Sequence, residues 1–215
     1  MPETLISLAT ILRERGERRR RIRFKGREAT NAAEQSYVVA LRRMLKAAWA
    51  IVEADVLPAV DRNAKRQADG LMLDDRGTDA ALTKLERALT GRLVKAATDA
   101  VTRILSLERK RNTKHFVASV KTALGIDLAS VITEEGLSEV FQQILATNAR
   151  LITRLSEVTR ERIRNSVEEA VISGMSAENL RARLRDDFGV LDSRAKLIAR
   201  DQISKVNSQL NEARQ

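Results

Sequence analysis

Apolar residues recur along this chain at spacings of three and four, and no window shows the strict alternation of a half-buried strand. The pattern predicts an all-α protein. A first segment, from about Thr4 to Arg23, is amphipathic at its start through Leu5, Leu8, Ile11 and Leu12, and Gly16 and Gly26 weaken it. A second helix is expected over Ala29 to Val56, with Val38, Leu41, Leu45, Ala48, Val52 and Val56 as its stripe and Tyr37 and Trp49 nearby. Pro58 should kink or stop it, because proline lacks the N–H and its ring crowds the preceding turn. Residues Asp69 to Thr78 read as a loop, with Thr78 or Asp79 as the next N-cap.

The third segment, Asp79 to Leu124, is the most regular. Leu82, Leu85, Leu89, Leu93, Ala96, Ala100, Ile104 and Leu107 repeat every eleven residues, the period of a nearly straight or slightly right-handed helix pair. Unbroken, it would reach roughly 65–70 Å, so the pattern implies either an elongated protein or a break, expected in the polar run Glu108 to Lys114. Gly125 reads as its C-terminal stop. After a connector at Ile126 to Thr133, a fourth helix is expected from Glu134 to Ile172 on Leu137, Phe141, Ile144, Asn148, Leu151, Leu155, Val158, Ile163, Val167 and Val171. Gly174 stops it. Ser176 caps a short helix to Phe188 that Gly189 ends, and Asp192 or Ser193 caps a last helix through Leu210. The expected architecture is thus an elongated long-helix protein with a C-terminal long–short–medium module. It divides into a basic arm at 1–28, a helical region at 29–125 and a C-terminal domain at 126–215.

Charge changes this picture at one end. The 215 residues carry a net charge of +10, and Arg13 to Arg27 hold nine basic residues against two Glu, or +7. The basic positions are Arg13, Arg15, Arg18, Arg19, Arg20, Arg21, Arg23, Lys25 and Arg27. Such an arm suits a polyanion or an acidic partner surface, and arginine's planar fork favours phosphate and carboxylate. A solvated arm is the plain alternative. Phe24 alone gives no aromatic interleaving for single-strand stacking.

Composition removes other classes. With no cysteine and one histidine, disulfide scaffolds, cysteine-based metal sites and multi-histidine centres are excluded. No apolar run approaches the ~20 residues of a membrane span, and no signal-peptide order is present. His115 reads as structural or solvated. Asn148, on an apolar stripe, reads first as a buried amide satisfied by a neighbouring helix. The pairs Glu134–Glu135, Glu168–Glu169 and Asp186–Asp187 diverge by about 100° around a helix and do not share a site. No nucleophile elbow, phosphate-binding loop, dinucleotide fingerprint or zinc-protease motif occurs. No catalytic residue, metal ligand or cofactor is expected.

The C-terminal segment carries a more specific pattern. Ser193-Arg194-Ala195-Lys196-Leu197-Ile198-Ala199-Arg200-Asp201-Gln202, followed by Ser204, Lys205, Asn207 and Leu210, resembles the phage head-morphogenesis, or minor capsid, family that includes the Mu F protein. The turn Gly174-Met175-Ser176 matches the family's Gly-x-Ser, and Asn148-Ala149-Arg150-Leu151-Ile152 its Asn-x-x-Leu-Ile segment. The likeness covers roughly residues 110 to 215, and several matched residues are polar ones that helix periodicity does not require. Family members usually continue into a Trp-Arg-Thr segment with further Asp, Arg and His. This chain stops at Gln215, and the resemblance implies a module truncated or naturally short relative to the family.

What the resemblance implies is a structural virion protein and not an enzyme. It would be assembled in the host bacterial cytoplasm, sit in the head interior or portal region, and bind portal or capsid proteins. Double-stranded DNA is a further expected partner through the basic arm, a homo-oligomer is the expected state in the virion, and no membrane role is implied. The alternatives are an arginine-rich helical nucleic-acid-binding regulator and a generic coiled-coil scaffold.

Overall fold

A computed structural model describes residues 30–73, 75–124 and 137–213. The basic arm and the connector after Gly125 lie outside them. The protein is all-α, with no strand among the described residues. Helix α1 spans Asn31–Ile51; a π-helical turn at Val52–Val56 joins it to α2, Leu57–Ala68. Helices α3 (Asp75–Thr90), α4 (Arg92–Leu124), α5 (Ser138–Ser173) and α6 (Ala177–Glu212) follow.

The start of α1 is fixed by Thr30, whose hydroxyl accepts from the Ala33 N–H at 3.3 Å, with Glu34 in the first turn. The buried face of α1 is Tyr37, Val38, Leu41, Met44, Leu45, Ala48 and Ile51. Of the kink or stop expected at Pro58, the helix shows no stop. The wider π turn directly upstream, in which the Leu57 N–H reaches the Val52 carbonyl, absorbs the register change around the proline ring.

Helix α2 ends in a Schellman motif. Gly70 takes φ +68°, the Gly70 N–H bonds the Gln67 carbonyl, and the Leu71 N–H bonds the Arg66 carbonyl. The loop expected up to Thr78 is shorter, because α3 already starts at Asp75. Thr78 is no cap but a buried position, its hydroxyl accepting from Asn63 Nδ2 at 2.9 Å and tying α3 to α2.

The long third segment is broken, but at Gly91 and not at 108–114. A Cβ at Gly91 would stand 2.9 Å from the Arg87 carbonyl, closer than a side chain tolerates at this bend. The bend shifts the helical phase by one residue. Leu82, Leu85 and Leu89 point inward as expected, but beyond Gly91 the buried positions are Ala97, Val101, Leu105, Glu108, Asn112 and Val120, while Ala96 and Leu107 face solvent. The polar run stays helical because its inner face packs on other helices through polar groups.

Helices α5 and α6 form a C-terminal hairpin of two 36-residue legs, each about 54 Å long. Its turn is another Schellman motif. Gly174 has φ +65°, its N–H bonds the Val171 carbonyl, and the Met175 N–H bonds the Ala170 carbonyl. Ser176 caps α6 as expected, accepting from the Asn179 N–H. Gly174→Ala is expected to cost about 1–2 kcal/mol in urea denaturation, because an L side chain resists this left-handed conformation. A Cβ there would also come within 2.9 Å of Gln67 Oε1, a flexible end that can move aside.

The short and medium helices of the expected module run as one. Gly189 sits within α6 and ends nothing. Asp192 is taken by Arg42 of α1 instead of capping, and the Ser193 hydroxyl donates to the Gly189 carbonyl inside the helix. Two apolar clusters fill the bundle. One joins α1, α4, α5 and α6 around Tyr37, Leu41, Leu105, Ile152, Leu155 and Ile203. The other joins the π turn, α2, α3 and the hairpin around Val56, Leu85, Leu89, Val167, Leu180 and Leu184. Both draw on residues before and after the connector at 126–133, so the hairpin shares its core with the preceding helices.

Candidate interhelical polar seam

The residues that carry the family resemblance divide between the interior and the surface. On α6, Ala195 and Ala199 are fully buried, and Gln202 and Asn207 are nearly so. Spacings of four, three and five keep all four on the inner side of the helix. Ile152 and Asn148 of α5 are buried too, whereas Leu151 is half-buried. Ser193, Arg194, Arg200, Asp201 and Lys205 are exposed, and Ile198 is half-buried against the first cluster. Gly174 and Ser176 stand apart at the hairpin turn. The arm residues Arg13, Arg15, Arg18, Arg19, Arg20, Arg21, Arg23, Lys25 and Arg27 lie outside the described residues.

Two polar ties run through the interior. In the first, the Tyr37 hydroxyl donates to Asn148 Oδ1 at 2.7 Å, and Asn148 Nδ2 donates to the Ile144 carbonyl at 2.8 Å. Asn148 is therefore the satisfied buried amide its position suggested. Burial holds the Tyr37 phenol well above the usual tyrosine range, so it remains a donor at any ordinary pH.

The second tie centres on Glu108, which is fully enclosed. Its Oε2 accepts from the Thr30 hydroxyl at 3.4 Å and lies 3.8 Å from the Arg111 guanidinium, while Oε1 accepts from Asn207 Nδ2 at 3.4 Å. Asn112 Nδ2 donates to Asn207 Oδ1 at 2.9 Å and to Asn211 Oδ1 at 3.2 Å. Asn207 Nδ2 also reaches the Ile203 carbonyl at 3.2 Å. Glu108, Asn112 and Asn207 are thus satisfied in the interior, with half-buried Asn211 and Thr30 completing the set at its edge. This arrangement fixes helix register, since a slip of either helix by one residue would strand several buried polar groups.

Sequence reasoning missed Glu108 and Asn112 because it placed a break across them. Their i, i+4 spacing continues Val101 and Leu105 once the phase shift at Gly91 is included. Outside the seam, paired charges lace the surface. Arg42 grips Asp192 through two bonds at 2.5 and 2.9 Å, and Arg160 and Arg164 both hold Glu86. The Arg42 guanidinium, then the Lys196 ammonium, hold the Asp192 carboxyl down at about 2.

The depressed value fixes the sign of a pH effect. The stabilisation from Asp192 is present above the unfolded carboxyl value, near 4, and is lost as pH falls toward about 2. With both partners partly exposed, about 1 kcal/mol is expected to disappear over that window. Urea denaturation of the wild type and of Asp192→Asn across that range checks it, the variant lacking this component of the acid loss.

Beside the first tie, a groove of about 570 Å³ opens between α5 and α6, with Asn148, Gln202 and Lys205 in its lining along with Gln143, Thr147 and Gln209. His115 is exposed. Among the described residues no three histidine or acidic side chains cluster as a metal would require, and no helix is long and apolar enough to cross a membrane.

Comparison with known proteins adds one relative. No family model matches the chain, and no solved structure matches it. An uncharacterized protein of Haemophilus influenzae is 26% identical over 216 residues, which covers 98% of this chain and 46% of that protein. The chain spans about half the length of the relative it matches, and the likeness runs through the helical body as well as the C-terminal hairpin.

Proposed function

We propose that the chain is a structural minor head protein of a tailed bacteriophage, acting in head morphogenesis by binding the portal or the inner capsid. One observation carries this reading. Three of the polar residues that resemble the head-morphogenesis family, Asn148, Gln202 and Asn207, are buried in the bundle with Ala195 and Ala199, while the matched Ser193, Arg194, Arg200, Asp201 and Lys205 are exposed. Asn148 and Asn207 hold helices together there, and such a use fits a rigid assembly element. Val190 and Leu197, one heptad apart on α6, are exposed. The test is mass spectrometry of purified procapsids and virions from a phage or prophage encoding the chain. Its peptides are expected in stoichiometric low copy, and their absence from both particles would refute the proposal.

A second reading, an arginine-rich nucleic-acid-binding protein, is favoured by the +7 concentrated in residues 13–27. Neutralising Arg18, Arg19, Arg20 and Arg21 then lowers the salt dependence of duplex binding by about 0.9 in slope for each phosphate that is no longer neutralised. An unchanged slope removes DNA as the arm's partner.

A further inference from the structure

Between α1 and α6, on the side held by the Arg42–Asp192 pair, lies a cleft of about 360 Å³. Its apolar lining is Leu45, Trp49 and Phe188. Trp49 and Phe188 are half-buried and meet edge to face, ring centroids 5.1 Å apart. The remaining lining is charged: Arg42, Lys46 and Arg185 against one carboxylate, Asp192. Arg42 is already bound to Asp192. Lys46 and Arg185 are exposed, and neither makes an ion pair among the described residues.

We infer that this cleft receives one apolar side chain from an acidic segment of a partner protein, whose flanking carboxylates meet Lys46 and Arg185. A volume at the small end of ligand sites suits a single anchoring side chain. Half-buried aromatic residues beside arginine are the composition of anchor pockets at protein interfaces. Two cations with no carboxylate of their own among the described residues supply the complementary charge, and such charges steer encounter and set register. A nucleic-acid strand fits less well. Sequence-tolerant strand binding uses successive open ring faces, and here the two rings are engaged edge to face with each other. The inference rests on the cleft alone and goes beyond the head-protein reading, so the failure of one leaves the other standing.

Trp49 is the chain's single tryptophan, so its fluorescence reports this cleft directly. The full chain is titrated with capped peptides of the form Glu-Asp-Glu-X-Glu-Asp-Glu, in which X is Leu, Met or Phe, with a serine-centred control. The apolar-centred peptides are expected to change Trp49 emission saturably and the control is not. Combining Lys46→Glu with Arg185→Glu is expected to weaken binding about tenfold while far-UV circular dichroism stays constant. Peptide captured by the basic arm instead leaves Trp49 emission unmoved. The proposal is overturned if no apolar-centred peptide changes the emission, or if the double variant binds as tightly as wild type. A single-stranded oligonucleotide that alone changes the emission overturns it as well.

Discussion

Ala199→Leu is expected to cost about 3 kcal/mol and to lower the melting temperature by roughly 6–12 °C. Ala199 has no exposed surface and sits between Ala195 and Ile203, which have almost none, in the cluster where α6 meets α1, α4 and α5. A fully buried alanine in a packed cluster leaves little room for a larger, branched side chain. Extra carbons force neighbours off their rotamers or the helices apart. The contrast is Arg200→Ala, one residue along. That side chain is exposed and makes no ion pair among the described residues, so its loss should stay within about 0.5 kcal/mol. Thermal denaturation followed by circular dichroism checks both. Equal, small losses at the two positions would mean that the inner face of α6 is not the packed one.

Asn207→Ala should cost a similar amount, about 3 kcal/mol, by a different route. The Asn207 amide donates toward Glu108 and the Ile203 carbonyl and accepts from Asn112. Truncation leaves a fully enclosed carboxylate and a buried amide short of partners, and each stranded group carries its desolvation cost. Asn207→Asp sharpens the prediction. A second carboxylate beside Glu108 puts two like charges at one buried site, so Asn207→Asp should destabilise the fold at least as much as Asn207→Ala in urea denaturation at neutral pH. An alanine variant as stable as wild type would remove the seam as a stabilising element.

How much of this was legible in the residues varied from element to element. Helix content, the hairpin turn at Gly174 and the cap at Ser176 followed from periodicity and capping chemistry alone, because both signals are local. The errors arose where a distant partner decides the local outcome. Pro58 reads equally as a kink or a stop until the π turn at Val52–Val56 shows how the helix runs on. Gly189 and Asp192 read as a stop and a cap, yet Arg42, 150 residues away in sequence, takes the carboxylate and the helix runs on. The polar run 108–114 reads as a break because its partners, Asn207 and Asn211, lie on a helix nearly a hundred residues later.

The candidate site was half legible for the same reason. Asn148, Gln202 and Asn207 stood out as polar residues that amphipathic periodicity does not demand. Nothing local indicated that Glu108 and Asn112 would meet Asn207, because the one-residue phase shift at Gly91 moves those side chains from the expected surface into the core. The Trp49–Phe188 cleft likewise joins two helices far apart in sequence, and only tertiary packing makes it.

The central claim is that polar residues of the α6 segment are spent on holding this bundle in one register. A double-mutant cycle between Asn112 and Asn207 tests it most directly. Asn112→Ala, Asn207→Ala and the pair are compared with wild type by urea denaturation under identical conditions. Direct bonding between the two amides predicts a coupling free energy of about 1–2 kcal/mol; additive losses, with coupling near zero, would contradict it.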